Sequence, residues 1–307
     1  MQLDSWSLVS LATPFEGRQI AALGRDGRIT EIDFLPSRLS MLEFFERFSE
    51  FETALRAFDV GAARSLPGAR ITAPLKYPTK VVCVGANYSG HRKEAGIHDQ
   101  SAVDPFLFLK PPSSTIIGDG DEIRIASEAE NIDWEAEIAV IISKGGRNIR
   151  REDALDHIGG YTLVNDVSAR GLFETTNPVH PSFSYDWLSV KGQDTFCPMG
   201  PSIVPAWFVG EYDDIDFTLH VNGELKQSGN TGLMITDIPG CIVAASRILS
   251  LQPGDVICTG TPQGVGLATG TYLKVGDEVV LHSPLIGTLR NRVAMLEAVA
   301  SGARPIA

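Results

Sequence analysis

The chain of 307 residues is 43% hydrophobic with a mean hydropathy of +0.03, enough to bury a sizeable core as one large domain with a smaller attachment. A formal charge of −12, with no basic run longer than the short RNIRRED, argues against a nucleic-acid or anionic-membrane surface and leaves a small molecule as the expected partner. The start MQLDSWSLVSLATPF lacks a basic n-region and a long apolar h-region, and the longest uncharged window is rich in Gly, Thr and Pro, so a cytoplasmic setting is expected. Cys83, Cys197, Cys241 and Cys258 show no C-x-x-C spacing and sit among apolar neighbours, the pattern of buried free thiols.

Residues 6–34 hold short alternating segments split by FEGRQ and GRDGR, which read as a small meander of strands. Ser40 and Glu43 form an S-x-x-E capping box, and Met41, Phe44, Phe45, Phe48, Leu55 and Phe58 then recur at helical spacing, predicting one helix through to residue 58. Pro67, Pro74 and Pro78 with Gly68 make a connector, which places a boundary near residue 75 between an N-terminal appendage and a main domain over 76–307. From Lys80 short strand-like runs dominate, among them KVVCVG, PFLFL, DWEAEIAVII, GYTLVND, DFTLHV, DVICTG, DEVVLHS and GTLRNRV. Asn222-Gly223 is a two-residue hairpin turn in which both residues tolerate positive φ. Asp237 caps a helix through IPGCIVAASRILSL, which QPGD stops. Helices are too sparse for repeated βαβ units, so the expectation is a mixed, β-rich sandwich or roll with peripheral helices.

NIDWEAEIAVII, residues 131–142, sets Asp133, Glu135 and Glu137 at every second position of a strand-like run, which puts them on one face. Two carboxylates ~5 Å apart in a partly buried site repel by roughly 3 kcal/mol, so such a face is either open to water or holds something positive. With Asp166, at the polar end of GYTLVND, Glu135 and Glu137 offer an all-oxygen set suited to a hard cation such as Mg²⁺ or Mn²⁺. His91 and Glu94 in GANYSGHRKEAG stand at i and i+3, the spacing of a surface ion pair or of a general base with its orienting acid. The polar stretch over 87–103 has the composition of a mobile lid. The glycines of LQPGDVICTGTPQGVG, with Thr259 and Thr261, make either a tight connection or a loop that a ligand can approach closely. Lys191 beside a turn is either an ordinary exposed lysine or a cation for a site.

In this order, GANYSGHRKEAG, FLKPPSSTIIGDGDEI, DWEAEIAVII, GYTLVNDVSAR, KGQDTFCPMGPSIV, VNGELKQSGNT and LQPGDVICTGTPQGVG resemble the fumarylacetoacetate hydrolase family over residues 80–294. The resemblance implies a mixed β-sandwich roll with a small N-terminal α+β appendage, assembled as a homodimer. It places a divalent ion, Mg²⁺ or Mn²⁺, on Glu135, Glu137 and Asp166, with Asp133 outside its first shell. It further implies His91, Glu94 and Lys191 as catalytic residues and Arg170, Thr261, Tyr88 and Ser113 as substrate contacts. Acylpyruvate-cleaving members carry a glutamine shortly after the SAR arginine, where this chain has Phe173. The stretch before Lys191, with His180, Tyr185 and Trp187, is longer than usual, as if to wall the pocket or reach a partner subunit.

The substrate class so implied is a 2-oxo acid, whose carboxylate and keto oxygen chelate the ion while an enolate forms at C3. Hydrolytic C–C cleavage of a 2,4-dioxo acid of the acylpyruvate type is the expected reaction. Decarboxylation of an oxaloacetate-type acid and isomerisation of an unsaturated 2-hydroxy acid in aromatic catabolism are the alternatives. A calcium-stabilised binding module is the competing class, although it has no need of the His91/Glu94 pair. A cupin-like iron oxygenase needs two clustered histidines, whereas the six here are scattered at 91, 98, 157, 180, 220 and 282.

Overall fold

The computed structural model describes residues 5–97 and 104–297. Its elements, in chain order, are strands β1 (Trp6–Phe15), β2 (Arg18–Gly24) and β3 (Ile29–Thr30), helices α1 (Met41–Glu46) and α2 (Phe48–Arg56), β4 (Val81–Gly85), α3 (Ser89–Glu94), β5 (Phe106–Lys110) and β6 (Glu122–Ile125). They continue with β7 (Ala136–Ile142), β8 (Ile158–Asn165), α4 (Trp187–Lys191), β9 (Cys197–Pro205), the hairpin β10 (Asp216–Val221) and β11 (Glu224–Asn230), α5 (Ile238–Ile248), β12 (Val256–Cys258), β13 (Glu278–Ser283) and β14 (Gly287–Met295). One sheet runs β3-β2-β1-β9-β8-β7-β12-β4-β5, and a second runs β11-β10-β13-β14-β6. The β-rich expectation holds.

β7 explains why its sequence is apolar at every step beyond Glu137. Ile138, Val140 and Ile142 face the second sheet, whereas Ala139 and Ile141 face α1 and α2. Both faces of the strand are covered, so period two survives only as a choice of core, not as an apolar–polar alternation. β7 pairs antiparallel with β8, Ala136 opposite Asn165, and with β12, which continues in parallel to β4.

Local sequence signals act as read at several points. Asn222 and Gly223 take φ 51° and 81° at the β10–β11 turn. The Asp237 carboxylate accepts from the Gly240 amide at the start of α5. Ser40 and Glu43 exchange both capping-box hydrogen bonds. The single helix expected from Met41 to Phe58 is two helices. Arg47 leaves helical dihedrals (φ −113°, ψ 18°), and its amide is shared between the Glu43 and Phe44 carbonyls at 3.2 Å each. This tightens the turn and re-aims Phe48 so that it stacks on Phe45 at 5.8 Å.

The N-terminal strands do not stand apart from the main sheet. β1 pairs with β9, Leu8 opposite Ile203, and Phe44, Phe45 and Leu55 share a core with Val81, Cys83, Ile141 and Cys258. All four cysteines are buried and free. Among the described residues no helix is long and apolar enough to cross a membrane. Of the expected lid, residues 98–103 lie outside the described residues, and 89–94 form α3.

Candidate active site

The acidic triad is built by one strand crossing. Ile132–Asp133 pairs with Ser168–Ala169, and the chain then passes Trp134 and Glu135 to enter β7. The Glu135 amide donates to the Asn165 side chain (2.9 Å), and the Asp166 amide donates to the Glu135 carbonyl (2.8 Å). These bonds lock the end of β8 against the start of β7. Glu135, Glu137 and Asp166, all buried, thereby each offer an oxygen within 4.8 Å of the other two. Glu137 Oε2 accepts from the Gly260 amide at 2.7 Å. That position needs glycine, because Gly260 has φ 95° and a Cβ there would stand 2.7 Å from Asn87 Cβ.

Three cations keep the acidic face from repelling itself. Lys191, at the end of α4, donates from Nζ to Glu135 Oε2 (2.8 Å) and Asp166 Oδ2 (2.7 Å). Lys110, at the end of β5, donates to Asp166 Oδ1 (2.5 Å) and the Val167 carbonyl (3.0 Å). Arg170 contacts Glu135 Oε1 through Nη2 and donates from Nε to Asp133 Oδ2 at 3.0 Å. Asp133 is not part of the triad. Its Oδ1 accepts from the Gly266 amide (2.6 Å) and its Oδ2 from the Leu267 amide (3.1 Å), so one buried carboxylate ties Arg170 to the glycine loop.

Charge divides the triad. Burial opposes ionisation of Glu135, but Lys191 and Arg170 outweigh it and hold that carboxyl far below the usual range. Burial pushes Glu137 well above that range, and the neighbouring Asp166 and Glu135 carboxylates push it further. For Lys191, the Asp166 and Glu135 carboxylates overcome burial and keep the ammonium charged. Counting Asp133, four carboxyl groups meet three cations, one acidic group more than the bases beside them. A divalent cation held there would add the positive charge that the surplus acid and an anionic substrate head both call for. The oxygen-only donor set suits Mg²⁺ or Mn²⁺, held by Glu135, Glu137 and Asp166.

Above the triad opens a cavity of about 690 Å³, lined at its polar end by Glu135, Arg170, Lys191 and His91. His91 Nδ1 lies 3.8 Å from Glu94 Oε2, beyond hydrogen-bond reach, and has no hydrogen-bond partner among the described residues. Glu94 is fixed from the other side, because both its oxygens accept from the Gly264 amide at 2.9 and 3.0 Å.

Of the remaining residues singled out in the sequence, Thr261, Tyr88 and Ser113 fall outside the cavity lining. Thr261 is buried, donating from Oγ1 to the Ala136 carbonyl (2.9 Å) and accepting from Gln227 Nε2 (2.8 Å), so it braces the glycine loop against β7. Tyr88 is buried, and its hydroxyl has no partner among the described residues. Ser113 is exposed on the turn after β5. Phe173 and Trp187 line the cavity and Tyr185 packs on Phe173 at 5.0 Å, whereas His180 is exposed beside a fully exposed Val179. Lys110 and the bonding role of Asp133 were not anticipated. The one signal for Lys110 was a lone lysine closing the apolar run FLFLK.

Known proteins resemble the chain over most of their length. The chain is 39% identical over 263 residues to the mitochondrial oxaloacetate tautomerase fahd2 of Xenopus laevis, covering 84% of this chain and 79% of the relative. It is also 39% identical over 233 residues to the oxaloacetate tautomerase YisK of Bacillus subtilis (strain 168), covering 75% and 74%. The structure of maleylpyruvate hydrolase from Sphingobium sp. SYK-6, in complex with manganese(II) and pyruvate, matches with a TM-score of 0.72 at 28% identity, over 95% of this chain and 100% of that one. The family model described as fumarylacetoacetate (FAA) hydrolase C-terminal matches residues 80–294, and the chain belongs to that family.

Proposed function

We propose that this enzyme interconverts the keto and enol forms of a 2-oxo acid, with a divalent metal held by Glu135, Glu137 and Asp166. The observation that carries the reading is the buried triad of Glu135, Glu137 and Asp166, with oxygens within 4.8 Å of one another, at the floor of a cavity that His91 also lines. Two relatives named oxaloacetate tautomerases make oxaloacetate the assay substrate of choice. When bound, the ion supplies the electrophile that polarises the 2-keto oxygen of the substrate.

The protein's own groups do the rest. Arg170, anchored by Asp133 and Glu135, presents a fixed cation to the substrate carboxylate. Lys191, charged and locked on two carboxylates, keeps the triad from flying apart and adds positive potential where the enolate oxygen forms. His91 takes the proton from C3 and delivers it to the 2-oxygen when the enol forms, and in the reverse direction it takes the hydroxyl proton and returns it to C3. With Glu94 on its Nδ1 side, Nε2 is the atom left to carry that proton, and the Glu94 carboxylate steadies the imidazolium. Tautomerisation needs no attacking water, so a phenylalanine at 173 is no obstacle to it.

Hydrolytic cleavage of an acylpyruvate is the second reading, favoured by the likeness to maleylpyruvate hydrolase. It uses the same His91/Glu94 pair to activate water. A homodimer in the cytoplasm completes the proposal, and light scattering on the purified protein checks the assembly.

With saturating Mg²⁺ or Mn²⁺, the wild type is expected to accelerate the enol-to-keto decay of oxaloacetate, followed as loss of enol absorbance. His91→Ala should lower that rate by about 10²- to 10⁴-fold with metal binding retained. Glu137→Gln should weaken metal binding at least tenfold in calorimetry. Unchanged affinity in Glu137→Gln would remove the metal assignment. A wild type inert toward the oxaloacetate enol yet active on an acylpyruvate would put hydrolysis first.

A further inference from the structure

The cavity is much larger than the head group its polar floor can hold. A four-carbon 2-oxo diacid displaces about as much space as five or six waters, ~150–180 Å³ at ~30 Å³ each, against about 690 Å³ available. Rings line the surplus. Phe108 starts next to the floor, with Lys191 Nζ 5.2 Å from its ring centroid. Trp187 stacks on Phe108 at 5.3 Å and meets Phe106 at 4.8 Å and Phe173 at 5.0 Å. These four side chains come from β5, the turn after Arg170 and the first residue of α4, and all four line the cavity. They are not buried as a closed core: Phe106 is 46% exposed, and Phe108, Phe173 and Trp187 are each half-buried.

Charge points the same way. Among the described lining residues the cations besides His91 are Arg170 and Lys191, both already engaged by carboxylates at the floor. Beyond that floor the ionisable group among the described lining residues is Glu174, an acid. A second carboxylate on the substrate would leave water to face rings and a like charge, an uncompensated desolvation. An uncharged ring in the same place would bury apolar area and gain edge or offset contacts with Phe108, Phe173 and Trp187.

We infer that the site is shaped for a 2-oxo acid whose tail is uncharged and aromatic, seated against the Phe106–Phe108–Phe173–Trp187 wall, in preference to a dicarboxylate. This rests on the 2-oxo acid reading of the floor, and the test separates the two. Oxamate and N-phenyloxamate are inert chelating heads that differ by one phenyl group. Each is titrated by calorimetry into the Mn²⁺-loaded wild type, Trp187→Ala and Phe106→Ala. The phenyl group is expected to tighten binding at least tenfold in the wild type, and either variant to lose at least threefold of that gain. Phe106→Ala, at a half-exposed position, keeps the comparison valid if Trp187→Ala does not fold. Equal affinities of the two compounds for the wild type overturn the aromatic tail and leave the head-group site standing. A gain undiminished in the variants overturns this wall as its seat. Failure of both compounds to bind overturns the head-group reading and the tail with it.

Discussion

Lys110 closes an apolar strand and ends fully buried against Asp166. Removing one partner of such a pair strands the other charge in a low-dielectric site, at a cost of about 3 to 5 kcal/mol. Lys110→Met is therefore expected to lower the melting temperature of the metal-free protein substantially, and added Mn²⁺ to recover more stability in the variant than in the wild type. Equal shifts with metal would show that Asp166 does not sense the ion. At this scale the carboxylates were legible in part: period two marked Glu135 and Glu137 and an apolar-to-polar strand end marked Asp166, but the same period also drew in Asp133, which bonds Arg170 and the glycine loop instead. Their counter-charges were not. Lys110 lies 56 residues from Asp166 in the chain, and Gly266 lies 133 residues from Asp133. No local pattern encodes pairings at those separations.

Elements hold surprises where side chains override propensity. The apolar stripe through residues 41–58 reads as one helix because the periodicity continues across Arg47, yet aromatic stacking of Phe45 on Phe48 favours the break there. On the same N-terminal segment the Arg64 hydrogen bond, against the opposing effect of burial and together with Arg18, holds Glu31 below its ordinary carboxylate range. A carboxyl depressed in the folded state stabilises above its unfolded pKa, and that stability is lost as pH falls through the folded value. Glu31→Gln should accordingly lower the melting temperature near pH 7 and converge with the wild type in acid, in thermal melts across a pH series. Helix α3 makes a different prediction. It has six residues and is held by Glu94 on the Gly264 amide and by Arg92 Nε on the Ala86 carbonyl (2.8 Å). Few tertiary bonds secure it, so its amides should exchange fast in the free enzyme and slow down with oxalate and metal. Strong protection in both states would make it a fixed element.

For the whole molecule the β-rich class, the hairpin at 222–223 and most strands from Val81 on were readable, because each is written in its own few residues. The union of the two ends of the sheet was not, since a Pro-rich connector before residue 80 resembles a boundary whether or not the strands ahead of it add to the next sheet. We propose that residues 1–75 serve the structure and carry no chemistry. On that view a chain starting at residue 76 would bare Val81, Cys83, Ile141 and Cys258, which α1 and α2 now cover. Such a truncation is expected to aggregate, and a soluble, monodisperse and active fragment would show instead that the two parts are separate units.

The pairing of Leu8 with Ile203 sets a timetable for biosynthesis. β1 emerges from the ribosome before β9, and its partner is made only after nearly two hundred further residues, about 10 to 40 s later at ordinary elongation speeds. Through that interval the ring-rich faces of Phe44, Phe45, Phe48 and Phe51 lack their cover. A ribosome-arrested chain ending before Cys197 should be cut readily by protease within residues 1–75, and one arrested well past Pro205 should resist. A segment translated well before its partner strand is thus sheltered only late in synthesis.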